Sequence, residues 1–280
     1  MYFLELVSIF TDNFNIKNMS VNNIESLLLS NNLDLEKPVL LFEQDNHSIY
    51  WLGVLEDNAF RINSYLINDG DQSIIIDPGS RSYFDNIKNH IIDLGFYDNL
   101  VAMICCHQDP DVAASMYDWL QIKPELEVIA SARTNVLLPH YGATDYNYYD
   151  SGYANNHEFV FKSGKKLKFI EAPFLHFPGA ITTLDESSNT LFSGDIWAAI
   201  DIDYQFIVSD FEDHKLKLDL FHIDYMASNL ASRRFAEKLQ DLKIELILPQ
   251  HGAIIHQKFI TEAIDYLKNL RCGLDIIYPE

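Results

Sequence analysis

The sequence predicts an α+β fold: an αββα sandwich in which two mixed β-sheets lie face to face between outer helices. Three observations predict it. Short apolar runs are mixed with helical segments rather than alternating in regular strand–helix units. Several hairpin signals occur, as at Asp69-Gly70. Continuous apolar runs such as Val101–Cys105 and Ile244–Leu248 read as buried strands. Together these fit two sheets between helices better than a doubly wound parallel sheet.

The Asn-rich stretch near the start suggests loops around a short helix, Val21 to Leu29. Val39–Phe42 and Ser48–Leu55 read as a strand pair around Gln44–His47. Asn63–Ile67 and Ser73–Ile76 flank the Asp69-Gly70 turn, a strong hairpin signal. Phe84, Ile87, Ile91 and Leu94 recur at helical spacing, with Gly95 as a C-terminal stop. Val101–Cys105 and Leu126–Ala130 are buried strands, and a short helix follows the second at Ala132–Leu138. Glu158–Lys162, Leu167–Glu171, Ile181–Leu184 and Thr190–Phe192 form a second set of strands. Met226, Leu230, Phe235 and Leu239 suggest a helix, Ile244–Leu248 a buried strand, and Phe259 to Leu270 an amphipathic helix.

Composition bounds the function. The 280 residues carry 20 Lys+Arg against 41 Asp+Glu, a formal net charge of −21, so no nucleic-acid partner is expected. At 48% hydrophobic the chain can bury a core. No repeat or linker interrupts it, so the expectation is a single domain, 1–280, with an N-terminal extension to about residue 36. No apolar run approaches the roughly 20 residues of a membrane span. The start, with Glu5, lacks a basic and apolar leader. Cys105, Cys106 and Cys272 form no disulfide framework, so a reducing, cytoplasmic setting is expected.

Four strand ends deliver ionisable residues. They are His107-Gln108-Asp109-Pro110-Asp111, Pro173-Phe174-Leu175-His176, Ser193-Gly194-Asp195 and Pro249-Gln250-His251-Gly252. A loop just past a buried strand is where a rigid scaffold presents binding groups. His-x-Asp-x-Asp alone fits solvated loop residues as well as metal ligands. Four such segments together offer three imidazoles and three carboxylates, too many for one ion with an open position but suited to two ions sharing a carboxylate. The opposing reading is a core histidine at each of three sites with an unrelated Asp195.

This pattern resembles the metallo-β-lactamase superfold over roughly Phe60 to Ile255, with Asn63–Ile67 and Ile76-Asp77-Pro78-Gly79-Ser80 as its opening hairpin. The zinc hydrolases of that superfold show His-x-His-x-Asp-His. Here Asp109 replaces the second His and Val112 the last, exchanging nitrogen for oxygen. Mixed His/carboxylate sets suit iron and manganese. The chain is thereby similar to the diiron branch: the flavodiiron proteins and, more closely, the stand-alone oxygen-binding diiron proteins. Phe174-Leu175-His176-Phe177-Pro178, Leu191–Asp195 and Tyr225-Met226-Ala227-Ser228-Asn229 share the likeness.

The resemblance implies two iron ions, with manganese or zinc as substitutes. His107, Asp109 and His176 would hold the first, Asp111 and His251 the second, and Asp195 would bridge them. The family usually has an acid at the Asp109 position, often Glu, and often His after the match to Asp111, where Val112 cannot ligate. The open positions this leaves at the second iron point to a small ligand such as dioxygen. The implied function is a non-haem diiron protein that binds dioxygen, serving as a sensor or as an oxygen or nitric oxide reductase with a separate electron donor. A signalling or electron-donor protein and a second copy of the chain are the implied partners. The chain runs 29 residues past His251, so no flavodoxin module and no bound flavin are expected.

The rival is a dinuclear metallohydrolase such as a phosphodiesterase, using a bridging hydroxide. Lys165-Lys166, in a hairpin turn, is the basic pair nearest the motifs. No Gly-x-Ser-x-Gly elbow suggests a serine hydrolase. Asp77 is read as a support for the ligands or a turn former, and His222 as a support or a solvated histidine. His47, His90, His214 and His256 are given no function, and Cys105 and Cys106 read as packing residues. Residues 139–157, rich in tyrosine, read as a long loop, either a surface or subunit contact or a lid.

Overall fold

The computed structural model describes residues 21–22, 24, 27, 33–53, 59–201 and 205–279. The expectations for residues 1–20, including the missing leader, lie outside the described residues.

Alternation of apolar side chains builds two sheets. The first holds, in spatial order, β1 (Val21–Asn22), β2 (Val39–Gln44), β3 (His47–Trp51), β4 (Tyr65–Asp69), β5 (Gln72–Ile76), β6 (Leu100–Ile104), β7 (Glu127–Ala130) and β8 (Asn147–Asp150). Its β1–β5 pairs are antiparallel and its β5–β8 pairs parallel. The second sheet comprises β9 (Glu158–Val160), β10 (Lys166–Glu171), β11 (Ile181–Asp185), β12 (Thr190–Gly194), β13 (Leu246–Pro249) and β14 (Ile255–His256), and only its β12/β13 pair is parallel. The longer helices are α1 (Phe84–Asp93), α2 (Met116–Ile122), α3 (Phe211–Tyr225), α4 (Asn229–Leu239) and α5 (Ile260–Asn269).

Period-two alternation sorts side chains into three cores. On β5, Ile74 and Ile76 point between the sheets while Ile75 packs outward with Ile87, Ile91 and Trp119 of α1 and α2. On β13, Leu246 and Leu248 point inward while Ile247 packs outward with Leu218, Phe235, Leu239 and Leu267. Helices thus cover the outer face of each sheet, and the αββα expectation holds.

Polar clamps join the layers. Asn63 donates through Nδ2 to the carbonyls of Pro249 (2.9 Å) and Gly252 (3.0 Å) and accepts from Trp51 Nε1 (2.8 Å). Tyr65 donates to the same Pro249 carbonyl (2.7 Å). His47 lies between two carboxylates, 3.2 Å from Asp69 of β4 and 2.8 Å from Asp185 of β11. It was given no function in the sequence, yet it ties the two sheets at the end of β3 opposite the Asn63 clamp.

Three expectations need correction. Val21 and Asn22 are strand residues paired with Glu43 and Phe42, because β2 offers an edge, so the expected helix does not begin there; Ile24 and Leu27 are helical as expected, and its other residues lie outside the described ones. Residues 139–157 are not all loop: Asn147–Asp150 extends the parallel edge beyond β7. Met226 caps α3, and the following helix begins only at Asn229.

Candidate metal centre

β6 ends at Ile104, and the chain turns through Cys105 and Cys106 to His107. Asp77, at the end of β5, fixes that turn: its Oδ1 accepts from the Cys106 amide at 2.9 Å, and its own N–H donates to Ile104. Burial pushes the Asp77 carboxyl up to about 6, against the lowering effect of the Cys106 amide. Asp109 then stands before the helical turn Pro110–Ala113, which carries Asp111 in its first turn. Asp195 follows β12 directly, and His251 lies two residues beyond β13. Two glycines make these exits possible. Gly194 has φ +57°, and a Cβ there would meet Cys106 Sγ at 2.8 Å. Gly252 has φ +84°, and its Cβ would meet Ala199 Cβ at 2.6 Å.

All six sequence-predicted donors come together. Ligand atoms of His107, Asp109, His176 and Asp195 lie within 4.8 Å of one another. Asp195 Oδ2 is 3.4 Å from His107 Nε2 and 3.0 Å from His176 Nε2. Its other oxygen, Oδ1, is 3.7 Å from His251 Nε2, which lies 3.1 Å from Asp111. Asp109 Oδ2 sits 3.5 Å from His107 and 3.2 Å from His176. One carboxylate therefore faces two donor groups, one oxygen to each.

The buried atoms are poised for cations rather than for hydrogen bonds. Among the described residues, His107 Nε2, His251 Nε2 and Asp195 Oδ1 are buried with no hydrogen-bond partner, a state that native proteins rarely leave uncompensated. The outer nitrogens fix the inner ones. His251 Nδ1 donates to the Arg61 carbonyl at 3.0 Å, so in the neutral ring Nε2 is a lone pair. His107 Nδ1 lies 3.1 Å from Cys106 Sγ.

Crowded carboxylates set the electrostatics. Burial alone would favour neutral His176, but Asp109 and Asp195 outweigh it and raise the imidazole to about 9. His107 is raised well above its ordinary value, burial again being overcome by Asp195. Asp195 is held well below the carboxylate range by His107 and His176, despite its burial. The protons on these imidazoles are what a cation would displace, leaving the rings free to hold it.

α3 supplies the surroundings. Its His222 donates through Nδ1 to the Leu218 carbonyl (2.8 Å) and accepts at Nε2 from the Trp197 amide (2.9 Å), two residues past Asp195. Phe60 stacks on the His251 ring at 3.6 Å and on Phe221 at 5.4 Å. Phe221 stacks on Tyr225, and both lie 5.9 Å from the His176 ring. Tyr141 donates to the Gln108 carbonyl. Of the residues weighed in the sequence, His222 and Asp77 thus support the donor loops; His140 is exposed, and His157 meets the Tyr153 ring edge to face. Phe60 and Phe221 went unnoticed, since an isolated phenylalanine carries no motif. Cys106 packs as expected but also touches His107.

No described helix is long and apolar enough to cross a membrane. The model of the ODP family of β-lactamase-like proteins matches residues 60–252. A solved structure titled a peroxy diiron species of the chemotaxis sensor ODP is 32% identical, with TM-score 0.76, covering 85% of this chain and 98% of that one. The apo state of that sensor from T. denticola is also 32% identical, with TM-score 0.72, covering 86% and 97%. The flavodiiron protein of Giardia intestinalis shares the fold at 20% identity and TM-score 0.67, over 78% of this chain and 56% of that one. Among curated relatives, the anaerobic nitric oxide reductase flavorubredoxin of Klebsiella pneumoniae is 24% identical over 73% of this chain and 44% of its own length. The curated relatives are matched over only 33% to 60% of their lengths. On the extent of the family match and the likeness to the sensor, this chain belongs to the ODP family of β-lactamase-like proteins.

Proposed function

We propose that this protein is a non-haem diiron protein that binds dioxygen and serves as a sensor. One observation carries the reading: Asp195 turns one oxygen to His107 and His176 and the other to His251. In this reading His107, Asp109 and His176 hold one iron, Asp111 and His251 hold the other, and Asp195 spans both. The set of three carboxylates and three imidazoles suits iron. Two ferrous ions, when bound, supply the electrons that dioxygen takes up.

The chain's own residues do the rest. His107 and His176 give up protons as the ions enter, so loading weakens as pH falls. Asp195 and Asp109 balance the cationic charge. The Arg61 carbonyl orients His251, and Cys106 faces the far nitrogen of His107. Phe60, Phe221 and Tyr225 line the His176–His251 side with aromatic rings, a surface that favours a small uncharged ligand. The titles of the similar structures, a chemotaxis sensor and its peroxy diiron species, support the sensing role. The flavorubredoxin relative supports the alternative of a reductase fed by a separate electron donor. We read residues 1–280 as one such domain, without bound flavin and with an extension before about residue 37.

The test is anaerobic purification with iron followed by air. The expected result is about two iron ions per chain and a visible absorption band that appears only with air. The double variant Asp195→Ala/His251→Ala should lose both iron and band, and retained iron would overturn the ligand set. Phosphodiester hydrolysis without the band would establish the hydrolase instead.

A further inference from the structure

α3 has two apolar faces. Phe211, His214, Leu218, Phe221 and His222 are buried against the body of the protein. On the outer side Leu216, Leu220 and Ile223 repeat at helical spacing and remain 69%, 61% and 37% exposed. Charged residues separate these two faces, and the three exposed apolar residues of the outer stripe point to an interaction surface. Beside the stripe runs a groove of about 630 Å³ between α3 and α5, with Leu216, Ile223 and Leu270 in its lining. Four acids, Glu212, Asp219, Glu262 and Asp265, line it against two bases, Lys215 and Arg271. Lys215 is paired with Glu212 at 2.6 Å, Asp265 with Lys268 at 3.0 Å, and Asp219 accepts from the Tyr266 hydroxyl at 2.8 Å, so the lining keeps a net negative charge with Glu262 its unpaired acid among the described residues.

The occupant follows from shape and charge. A groove between two helices with apolar residues and charges in its lining, next to an apolar helical stripe, fits an amphipathic helix that presents apolar residues at the same spacing. The acidic lining, on a chain of net charge −21, calls for basic flanks and repels a second copy of the same chain. The inner face of the same helix meets the metal-site loops: Phe221 lies 5.9 Å from the His176 ring, and His222 holds the Trp197 amide beside Asp195.

We propose that the Leu216–Leu220–Ile223 stripe and its groove receive an amphipathic helix of a partner protein, apolar along one face and flanked by Lys and Arg, and that α3 thereby transmits changes at the donor loops to that partner. The transmitting role rests on the diiron reading; the docking does not.

The test uses the full-length, iron-loaded chain and a fluorescein-labelled designed Leu/Lys peptide of about five helical turns. The control is a peptide of the same composition scrambled to destroy its apolar face. Fluorescence anisotropy should show the amphipathic peptide binding at least about tenfold more tightly than the scrambled one. The double variant Leu216→Gln/Leu220→Gln should erase that preference, and Glu212→Gln/Glu262→Gln should weaken binding of both peptides. Leu274→Gln, at an exposed apolar site bordered by Arg234 and Lys238, should change neither. Equal binding of the two peptides, or an unaltered preference in the leucine variant, overturns the docking surface. So does a wild-type dimer in sedimentation that the leucine variant converts to monomer, since a second copy would then occupy the stripe. The amphipathic peptide should also bind with different affinity before and after air. Equal affinities in protein that shows the air-dependent band overturn transmission alone, whereas absence of iron and band overturns the diiron reading and leaves the peptide comparison to decide docking.

Discussion

Asp195 organises the centre as a single residue, because each of its oxygens addresses a different set of imidazoles. Its placement depends in turn on His222, fully buried and accepting the Trp197 N–H. Replacing His222 with Leu leaves that amide without its acceptor in the interior, at a cost of about 1–3 kcal/mol. The variant should unfold at lower denaturant, keep iron, and show a shifted air-dependent band. A His222→Gln variant, whose carbonyl can accept, should recover part of the stability. An unshifted band with lowered stability would mean that His222 supports only the core. The convergence of the six side chains was legible in the sequence because five follow an apolar strand closely, and His176 lies in a Pro- and Phe-rich turn a few residues past β10. Phe221 was not, because its contact with the His176 ring depends on approach across the fold and leaves no trace in spacing. His47 was illegible for the same reason: its partners, Asp69 and Asp185, are 22 and 138 residues away.

Among the elements, those with one apolar face were readable and those with two or none were not. The β4–β5 hairpin announced itself through Gly70, at φ +62° in its turn. α1 and α5 have single apolar stripes and were placed within a few residues. α3 was missed because its inner and outer apolar residues cancel any one-sided pattern. β8 was missed because its residues are only partly buried or exposed, with tyrosines where an inner strand would carry aliphatics. The elements that hold the centre are joined by the Asn63 clamp, which links β3 to the turn between β13 and His251. Asn63→Ala leaves Trp51 Nε1 and the Gly252 carbonyl without this partner in a buried setting, at roughly 1–3 kcal/mol for each group. Thermal unfolding should shift down by several degrees, and iron affinity should fall because His251 hangs from this turn. A variant of unchanged melting temperature and iron content would show that Tyr65, which shares the Pro249 carbonyl, suffices.

Across the whole molecule, four buried or half-buried histidines, His107, His176, His214 and His222, form two pairs with opposite effects on folding. His214 is 1% exposed, and neither ring nitrogen has a hydrogen-bond partner among the described residues. Burial, aided by the charge of Lys217, lowers it from 6.5 to about 4, and burial likewise lowers His222 to about 4. The unfolded chain takes up these protons near pH 6.5 while the folded chain resists until about 4, so stability falls as pH drops through that window. Each residue contributes at most about 3 kcal/mol. At the centre the sign reverses. His176 is raised to about 9 in the metal-free chain, so its ion pairs with Asp109 and Asp195 stabilise fully below pH 6.5, and that stabilisation is lost as pH rises through 9. The metal-free protein should therefore be most stable near pH 6.5 and weaken on both sides. His214→Leu should flatten the acid side alone. Iron loading should remove or reverse the alkaline decline, because bound cations replace the protons that His107 and His176 would otherwise lose. Melting curves of metal-free and iron-loaded protein from pH 4 to 9, read together, separate the two groups. An alkaline decline that persists unchanged with iron bound would show that His176 keeps its proton and does not face a metal.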